Sequence, residues 1–179
     1  MVTSIEFGLQ NSRALPVEIN RYSQALNEVR ASFVTLEINQ QLRGCIGQLN
    51  ACKPLVKDVA DNAFSAAFSD PRFPPLSIEE FPTLDIHVSV LSAAEPVNVE
   101  SEQALLNELR PHIDGLIISD GYYRATFLPS VWETLPEKQQ FLTQLKLKAG
   151  LTANYWSDTL RVERYTTFAF GAPVAEIES

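Results

Sequence analysis

The segment Leu42–Gly47 holds the side chains best suited to chemistry, because Arg43 stands two residues before Cys45 and glycines stand on both sides of the cysteine. In a strand, residues two apart share a face and lie about 6–7 Å apart. A nearby cation stabilises the thiolate, the reactive form of cysteine. Gly44 and Gly47 remove side chains that would cover the sulfur or a bound ligand. The pattern predicts Cys45 as a nucleophile or covalent carrier and Arg43 as an anion clamp.

Each of these residues also has a structural interpretation, and both interpretations stay open. A strand cysteine is commonly a small buried apolar residue. Arg43 could be taken up by a cross-strand ion pair with Glu37. Gly44 and Gly47 could serve only to let another element pack closely. The choice depends on whether the Cys45 sulfur lines a cavity or is sealed in a core.

A β-hairpin is predicted to position these residues. Its first strand is Phe33–Ile38, its loop is the three residues 39–41, and its second strand is Leu42–Gly47. This loop length sets the cross-strand pairs, which are Ile38 with Leu42, Glu37 with Arg43, and Thr35 with Cys45. Arg43 and Cys45 then share one face. The buried face is expected to carry Val34, Leu36, Ile38, Leu42 and Ile46.

A loop stiffened by prolines, Asp70–Pro75, supplies the next candidates. Asp70 could assist proton transfer, and Arg72 could bind substrate at the rim of the site. The structural alternative is favoured here, because Asp70 can bond nearby backbone amides and Arg72 can bind a neighbouring carboxylate. Both roles can hold at the rim of one site.

Two further side chains could take part, although neither forms a motif. His87 lies on the polar face of the predicted strand Leu84–Leu91, where it could be a base, a binding residue or a rim residue. Cys52 precedes a predicted helix whose dipole would stabilise a thiolate, but a connector role is favoured. No metal is predicted, because Cys45 and Cys52 are seven apart, outside the usual zinc spacing. A site built from Cys45, His87 and a carboxylate is the remaining metal alternative.

Four motifs together carry a family resemblance: LRGCIG at 42–47, DPRFPP at 70–75, VSVLS at 88–92 and DGLII at 114–118. The chain resembles the AMMECR domain family of bacteria, archaea and eukaryotes over nearly its whole length. The resemblance implies an α+β fold. Through neighbouring genes, it also implies a pathway shared with a Memo-like protein and a radical SAM protein. It specifies neither a reaction nor a cofactor.

The order of predicted elements favours the same class. Helices and hairpins follow one another without strict β-α-β alternation, which favours a mixed or antiparallel sheet. We expect one α+β domain over residues 1–179, with a mostly antiparallel curved sheet flanked by helices. A smaller lobe around residues 10–50 is allowed near the first hairpin. Besides that hairpin, helices are predicted at 1–10, 54–68, 101–109 and 134–149, and strands at 84–91, 116–119, 122–128 and 160–170.

Length, composition and charge narrow the class further. With 179 residues, of which 45% are hydrophobic, the chain can bury a core. It has no apolar run near the roughly 18 residues of a membrane span, and its start lacks the pattern of a secretory signal. The net charge of −8 argues against a nucleic-acid partner. Two cysteines without a CxxC motif favour the reducing cytoplasm.

Two classes of function follow from these residues. In the first, the protein is an enzyme or a catalytic subunit whose cleft contains Arg43 and Cys45, with Asp70 and Arg72 at the rim. In the second, it is a non-catalytic ligand-binding or assembly module that uses the same face. The first predicts a reactive thiol in an open cleft, and the second predicts an inert thiol and an exposed apolar patch. We favour the enzyme.

Overall fold

The computed structural model describes residues 1–177 and divides the chain into two compact units. The first unit contains residues 1–91 and 168–177, and the second contains residues 92–167. The helices are α1 Val2–Asn11, α2 Gln24–Asn27, α3 Leu55–Phe68, α4 Glu102–Glu108, α5 Lys138–Lys148 and α6 Val174–Ile177. The strands are β1 Ser32–Ile38, β2 Gln41–Gly47, β3 Asp85–Leu91, β4 Glu95–Pro96, β5 Gly115–Asp120, β6 Tyr123–Phe127, β7 Arg161–Tyr165 and β8 Thr167–Pro173.

In the first unit, α3 packs on a four-stranded sheet with the order β2-β1-β3-β8. Residues of β1 and β3 alternate between an apolar face and a polar face, as the two-residue period of a strand requires. The apolar face and the small residues of α3 form a core that contains Val34, Leu36, Ala63, Ala66, Ala67, Ile86 and Val88. The opposite face of the sheet is left to carry the polar side chains.

The predicted hairpin forms, but its register is partly wrong. Asn39 and Gln40 have φ of 53° and 63°, so the loop has two residues with left-handed backbone, as tight hairpin turns require. Past the turn, β2 contains one extra residue, Arg43, which has no partner on β1. The observed pairs are Ile38 with Gln41, Glu37 with Leu42, Leu36 with Gly44, and Thr35 with Cys45.

This bulge corrects three expectations about the hairpin and keeps one. Glu37 does not pair with Arg43, and Leu42 does not join the buried face, since it is 42% exposed. Ile38 pairs with Gln41 rather than with Leu42. The pairing of Thr35 with Cys45 is confirmed, because the extra residue restores the predicted register farther along the strand.

The second unit has its own sheet, with the order β4-β7-β5-β6 and antiparallel pairing throughout. Trp132 is fully buried and stacks on Phe141 with a centroid distance of 3.7 Å. The Trp132 indole N–H donates to Asp114 O at 2.7 Å, so its one polar atom is satisfied. Around this stack lie Leu105, Leu116, Ile118, Leu142, Leu145 and Val162.

The single strand expected at residues 160–170 is wrong. β7 ends at Tyr165, β8 begins at Thr167, and the two belong to different sheets. Between them, Thr166 exchanges hydrogen bonds with Ser92: its N–H donates to Ser92 Oγ at 3.0 Å, and Ser92 N–H donates to Thr166 O at 2.9 Å. No glycine or proline marks this break, so the β-prone run reads as continuous.

The α+β class is confirmed, with antiparallel pairing in both sheets. The strands form two four-stranded sheets instead of the one curved sheet expected from the sequence. Residues 10–50, where a smaller lobe was allowed, belong to the first unit together with the first hairpin.

Candidate functional site

Cys45 lies at one end of a row of three side chains that crosses three neighbouring strands. It pairs with Thr35 on β1, and Thr35 pairs with His87 on β3. The Thr35 hydroxyl donates a hydrogen bond to Cys45 Sγ at 3.3 Å. The cysteine is half-buried and forms no disulfide. The row therefore holds a hydrogen-bonded thiol and, about 10 Å away, an exposed imidazole.

Asp70 ties the proline-stiffened loop to β2. Because β2 is an edge strand, its outward N–H groups need partners from outside the sheet. The Asp70 side chain is 2% exposed, and its Oδ2 accepts a hydrogen bond from Cys45 N–H at 2.9 Å. The side-chain hydrogen bonds from Arg72, and then that from Cys45 N–H, hold the pKa of Asp70 well below its usual value in spite of burial. Asp70 is therefore an ionised anchor.

Arg72 is the cation that the structure brings to Cys45. Its Nη2 donates to Asp70 Oδ2 at 2.6 Å and to Cys45 O at 3.2 Å, and its Nε donates to Asp70 Oδ1 at 2.9 Å. Its side chain is 53% exposed. The hydrogen bond to Asp70 raises the pKa of Arg72. The guanidinium is thus held on its buried side and open to a ligand anion on the other.

Arg43 is buried and already engaged. Its Nε and Nη2 donate to the two carboxylate oxygens of Glu80 at 2.8 and 3.0 Å, and Nη2 also donates to Pro74 O at 3.0 Å. The Arg43 hydrogen bonds, followed by a backbone N–H from Ser77, lower the pKa of Glu80. Only Nη1 has no hydrogen-bond partner within residues 1–177. These contacts hold the loop that follows Asp70 against β2.

The Glu37–Arg43 ion pair expected from the hairpin is wrong. Glu37 Oε2 lies 3.9 Å from His87 Nε2 instead, on the face that carries Cys45. The two arginines share a different neighbour, since the guanidinium carbons of Arg43 and Arg72 lie 5.8 and 5.5 Å from the centroid of the Phe73 ring. The bulge at Arg43 makes this possible by re-aiming its side chain.

The two glycines of the motif lie against neighbouring residues. A side chain at Gly44 would collide with the backbone carbonyl of Ala66 on α3. A side chain at Gly47 would meet Ser32 O and the ring of Phe33. Both positions therefore need glycine for close packing, in agreement with the structural interpretation of these residues.

Two residues of the site were missed from the sequence. Thr35 was placed opposite Cys45 by the register, but its hydroxyl was not recognised as a partner of the sulfur. Glu80 is the other: it forms a capping pair with Ser77, whose N–H donates to Glu80 Oε2 at 2.9 Å, and it also holds Arg43. The signal for its second role, as partner of Arg43, lies in the fold and not in the local sequence.

The remaining candidates lie outside this cluster. Cys52 is exposed, and its thiol donates to Asn50 O at 3.0 Å. Within residues 1–177, no three His, Cys, Asp or Glu side chains come together in a way that could hold a metal ion. In the same part of the chain, no helix has the length and apolar character needed to cross a bilayer.

Comparison with known proteins agrees with the sequence resemblance. The model of the AMMECR1 family matches residues 2–170, so the chain belongs to this family. A relative from Methanocaldococcus jannaschii, Protein MJ0810, is 35% identical over 162 residues, which cover 86% of this chain and 79% of the relative. A protein of Methanothermobacter thermautotrophicus is 40% identical over 147 residues, covering 79% and 74% of the two chains.

A solved structure shares the fold. The crystal structure of an uncharacterized protein, PH0010 from Pyrococcus horikoshii, superposes with a TM-score of 0.87. The two chains are 30% identical, and the match covers 96% of this chain and 88% of the other. Neither this name nor those of the two archaeal relatives states an activity, so the function has to be argued from the site itself.

Proposed function

We propose that the protein is an enzyme, or the catalytic subunit of one, that uses Cys45 as a nucleophile or covalent carrier for an anionic substrate. Thr35 stabilises the thiolate, and Arg72 holds the negative group of the substrate. Asp70 positions both sides of the site, since it binds the cysteine backbone and the arginine together. Arg43 holds the loop 70–75 in place through its hydrogen bonds to Glu80 and to Pro74 O.

One observation carries this proposal: a single buried carboxylate fixes a half-exposed guanidinium beside a hydrogen-bonded thiol. The Asp70 carboxylate accepts one hydrogen bond from Cys45 N–H and three from Arg72. Burying a charge is costly unless it is paired and hydrogen-bonded. A thiol that was only a core residue would need no cation at this position. The arrangement supports a site that is organised before a ligand arrives.

The chemistry would follow the pattern of other cysteine nucleophiles. The thiolate attacks an electrophilic carbon of the substrate, an S–C bond forms, and the bond to the leaving group breaks with its electron pair going to the leaving group. Arg72 would orient the substrate through a charge-assisted hydrogen bond. His87 lies too far along the row to take the thiol proton directly, but it could contact the far end of a substrate laid across Thr35.

The alternative is a non-catalytic module that binds an anionic ligand on the same face. Thr35 and Arg72 would serve such a module equally well, since a hydroxyl and a guanidinium bind anions without help from a thiol. The two functions differ in what Cys45 does. An enzyme needs a reactive sulfur, whereas a binding module does not.

The setting of this site is also part of the proposal. We propose that it acts in the cytoplasm, because a free catalytic thiol persists in a reducing compartment. The AMMECR resemblance supports Memo-like and radical SAM proteins as partners in the same pathway. The acidic net charge of −8 supports the absence of a nucleic-acid partner.

Competitive alkylation tests the proposal, with Cys52 as a control inside the same chain. The folded protein is treated with iodoacetate, which is anionic, and with iodoacetamide, which is neutral, and peptide masses give the rate at each cysteine. We expect the ratio of the iodoacetate rate to the iodoacetamide rate to be about twofold to fivefold higher at Cys45 than at Cys52. The fivefold limit corresponds to the attraction between iodoacetate and one full positive charge in water at about 4 Å. The negative charge of Asp70 weakens the attraction of Arg72, so the expected ratio is lower.

Variants identify the cation responsible. Arg72→Ala is expected to bring the Cys45 ratio down to that of Cys52, and Arg72→Lys to keep part of the preference because it keeps the charge. Arg13→Ala is the matched control, since Arg13 is exposed and belongs to the same unit. If Cys45 stays unmodified until the protein unfolds while Cys52 reacts, the thiol is structural and the binding module takes the place of the enzyme.

A further inference from the structure

Two arginines in the second unit stand in one row across three strands. On β5, Ser119 pairs with Arg124 of β6 on one side and with Arg161 of β7 on the other. Paired residues on neighbouring antiparallel strands point to the same face, and neighbouring strands lie about 4.8 Å apart. The two arginine backbones are therefore about 10 Å apart, with the serine hydroxyl between them. None of these residues belongs to the Cys45 cluster.

Both arginines are free of partners. Within residues 1–177, the side chains of Arg124 and Arg161 make no hydrogen bond, ion pair or ring contact, and both residues are exposed. The chain has 14 basic and 22 acidic residues. A lack of carboxylates therefore does not explain why these two paired strand positions carry arginines without an ion pair. By contrast, carboxylates within the same chain hold Arg21, Arg30, Arg43, Arg72 and Arg110.

The row lies in a groove of about 940 Å³, within the size range of small-molecule sites. Gly121 forms part of its wall, and a side chain there would meet no atom within 4 Å, so the space above it is open. After β4 the chain runs along β7, where Val97 N–H donates to Val162 O at 2.8 Å. This brings the Asn98 amide to the wall of the same groove.

The groove also contains acidic side chains, which limits what it can bind. Glu100, Asp158 and Glu163 line it, so these three carboxylates and the two arginines together have a formal charge of −1. Glu163 lies two residues from Arg161 on the same face of β7, about 6–7 Å away. A bare anion would be attracted by the arginines and repelled by these carboxylates. A ligand with an anionic end and hydrogen-bond donors elsewhere would suit both sets of groups.

We propose that this groove binds a small organic oxyanion that also carries hydroxyl or ammonium groups. Arg124 and Arg161 bind the oxyanion from both sides, and the Ser119 hydroxyl donates to it from below. The carboxylates and Asn98 accept hydrogen bonds from the hydroxyl or ammonium groups. The oxyanion is a phosphate monoester or a carboxylate, both of which match the planar donor fork of arginine.

Nuclear magnetic resonance of the arginine Nε–Hε groups tests the proposal on the whole chain at low ionic strength. The probes are inorganic phosphate, glucose 6-phosphate, glucose and malate. We expect the signals of Arg124 and Arg161 to move together and to saturate at the same ligand concentration. We expect glucose 6-phosphate to bind more tightly than inorganic phosphate, because only the ester can use the acidic wall. Tighter binding of malate than of glucose 6-phosphate would assign the oxyanion as a carboxylate.

Variants separate a built site from general charge attraction. Arg124→Ala or Arg161→Ala is expected to weaken binding about tenfold, the usual effect of one hydrogen bond to a charged group. Arg161→Lys, which keeps the charge but loses the fork, is expected to weaken it severalfold. Arg13→Ala should leave the affinity unchanged. All three positions are exposed, and the backbone amide spectrum confirms that each variant is folded.

Three results would overturn the proposal. Independent saturation of Arg124 and Arg161 would show two separate surface charges. Equal shifts of Arg13 and the two groove arginines would show screening without a site. Failure of phosphate, glucose 6-phosphate and malate alike would show that the groove binds no oxyanion. None of these results would affect Cys45 alkylation, so the two proposals can fail separately.

Discussion

The chain contains two ion pairs of nearly identical construction, one in each unit. Asp70 is 2% exposed and its partner Arg72 is 53% exposed, while Asp114 is 0% exposed and its partner Arg110 is 51% exposed. In both pairs the arginine Nη2 lies 2.6 Å from a carboxylate oxygen, and the arginine Nε and backbone N–H also donate to the carboxylate.

The pairs differ in what else they hold. Among the residues that the structure describes, the Asp114 carboxylate accepts hydrogen bonds only from Arg110, four residues away, so this pair closes one turn before β5. Asp70 also receives the N–H of Cys45, and Arg72 also reaches Cys45 O, so this pair links two segments 25 residues apart. The same chemistry closes a turn in one unit and positions a thiol in the other.

The largest effect is expected at Gly44, which precedes Cys45, and it can be compared with that at Gly115, which follows Asp114. Gly44→Ala should destabilise the protein by about 3 kcal/mol, because the new methyl group meets the backbone of α3, which cannot move away. Gly115→Ala should cost about 1–2 kcal/mol, because the nearest atoms that the methyl group meets belong to the ring of Tyr165, a side chain and not a backbone. Urea unfolding measures both. Equal losses would show that α3 can shift, and that Gly44 is not needed for its approach.

Replacing the two carboxylates sharpens the comparison. Asp70→Asn and Asp114→Asn should each cost about 2 kcal/mol in urea unfolding, since each loses charge-assisted hydrogen bonds to an arginine. Only Asp70→Asn should also reduce the preference of Cys45 for iodoacetate, because only that change releases the cation beside the thiol. An altered Cys45 preference in Asp114→Asn would contradict the division of roles between the pairs.

The smallest effect is a dependence of stability on pH. The pKa of folded Asp70 is lowered, so its contribution is fully present above the unfolded value of about 3.9 and is lost as the pH falls through the folded value. Between pH 6 and pH 3, wild type should lose about 1 kcal/mol more than Asp70→Asn. Glu80 acts in the same direction but is present in both proteins. Parallel stability curves for the two would show that Asp70 is not the group responsible.

Local patterns predicted most of the elements. The alternation of β3, the helix α4 and the hairpin over residues 33–47 all depend on residues close in sequence, and all are present. The boundary between β7 and β8 was missed because it depends on a bond to Ser92, 74 residues away. Periodicity carries no information about such a partner.

The site was only partly accessible from sequence for the same reason. Cys45 and its cross-strand neighbour Thr35 could be placed, because a hairpin is a local structure. The cation was expected to be Arg43, since the regular strand period puts it on the face of Cys45. One bulge removed Arg43 from the strand pairing and left Arg72, a residue 27 positions away, at the cysteine. A bulge of this kind leaves no clear mark in the residues around it.

The buried stack of Trp132 on Phe141 gives the second unit a fluorescent reporter that the first unit lacks. Both tryptophans of the chain, Trp132 and Trp156, lie in residues 92–167. Tryptophan emission therefore follows the unfolding of the second unit, whereas far-ultraviolet circular dichroism follows both units. Coincident transitions by the two probes would mean that the units unfold as one cooperative system. Separate transitions would mean that each unit unfolds independently, with its own free energy of unfolding.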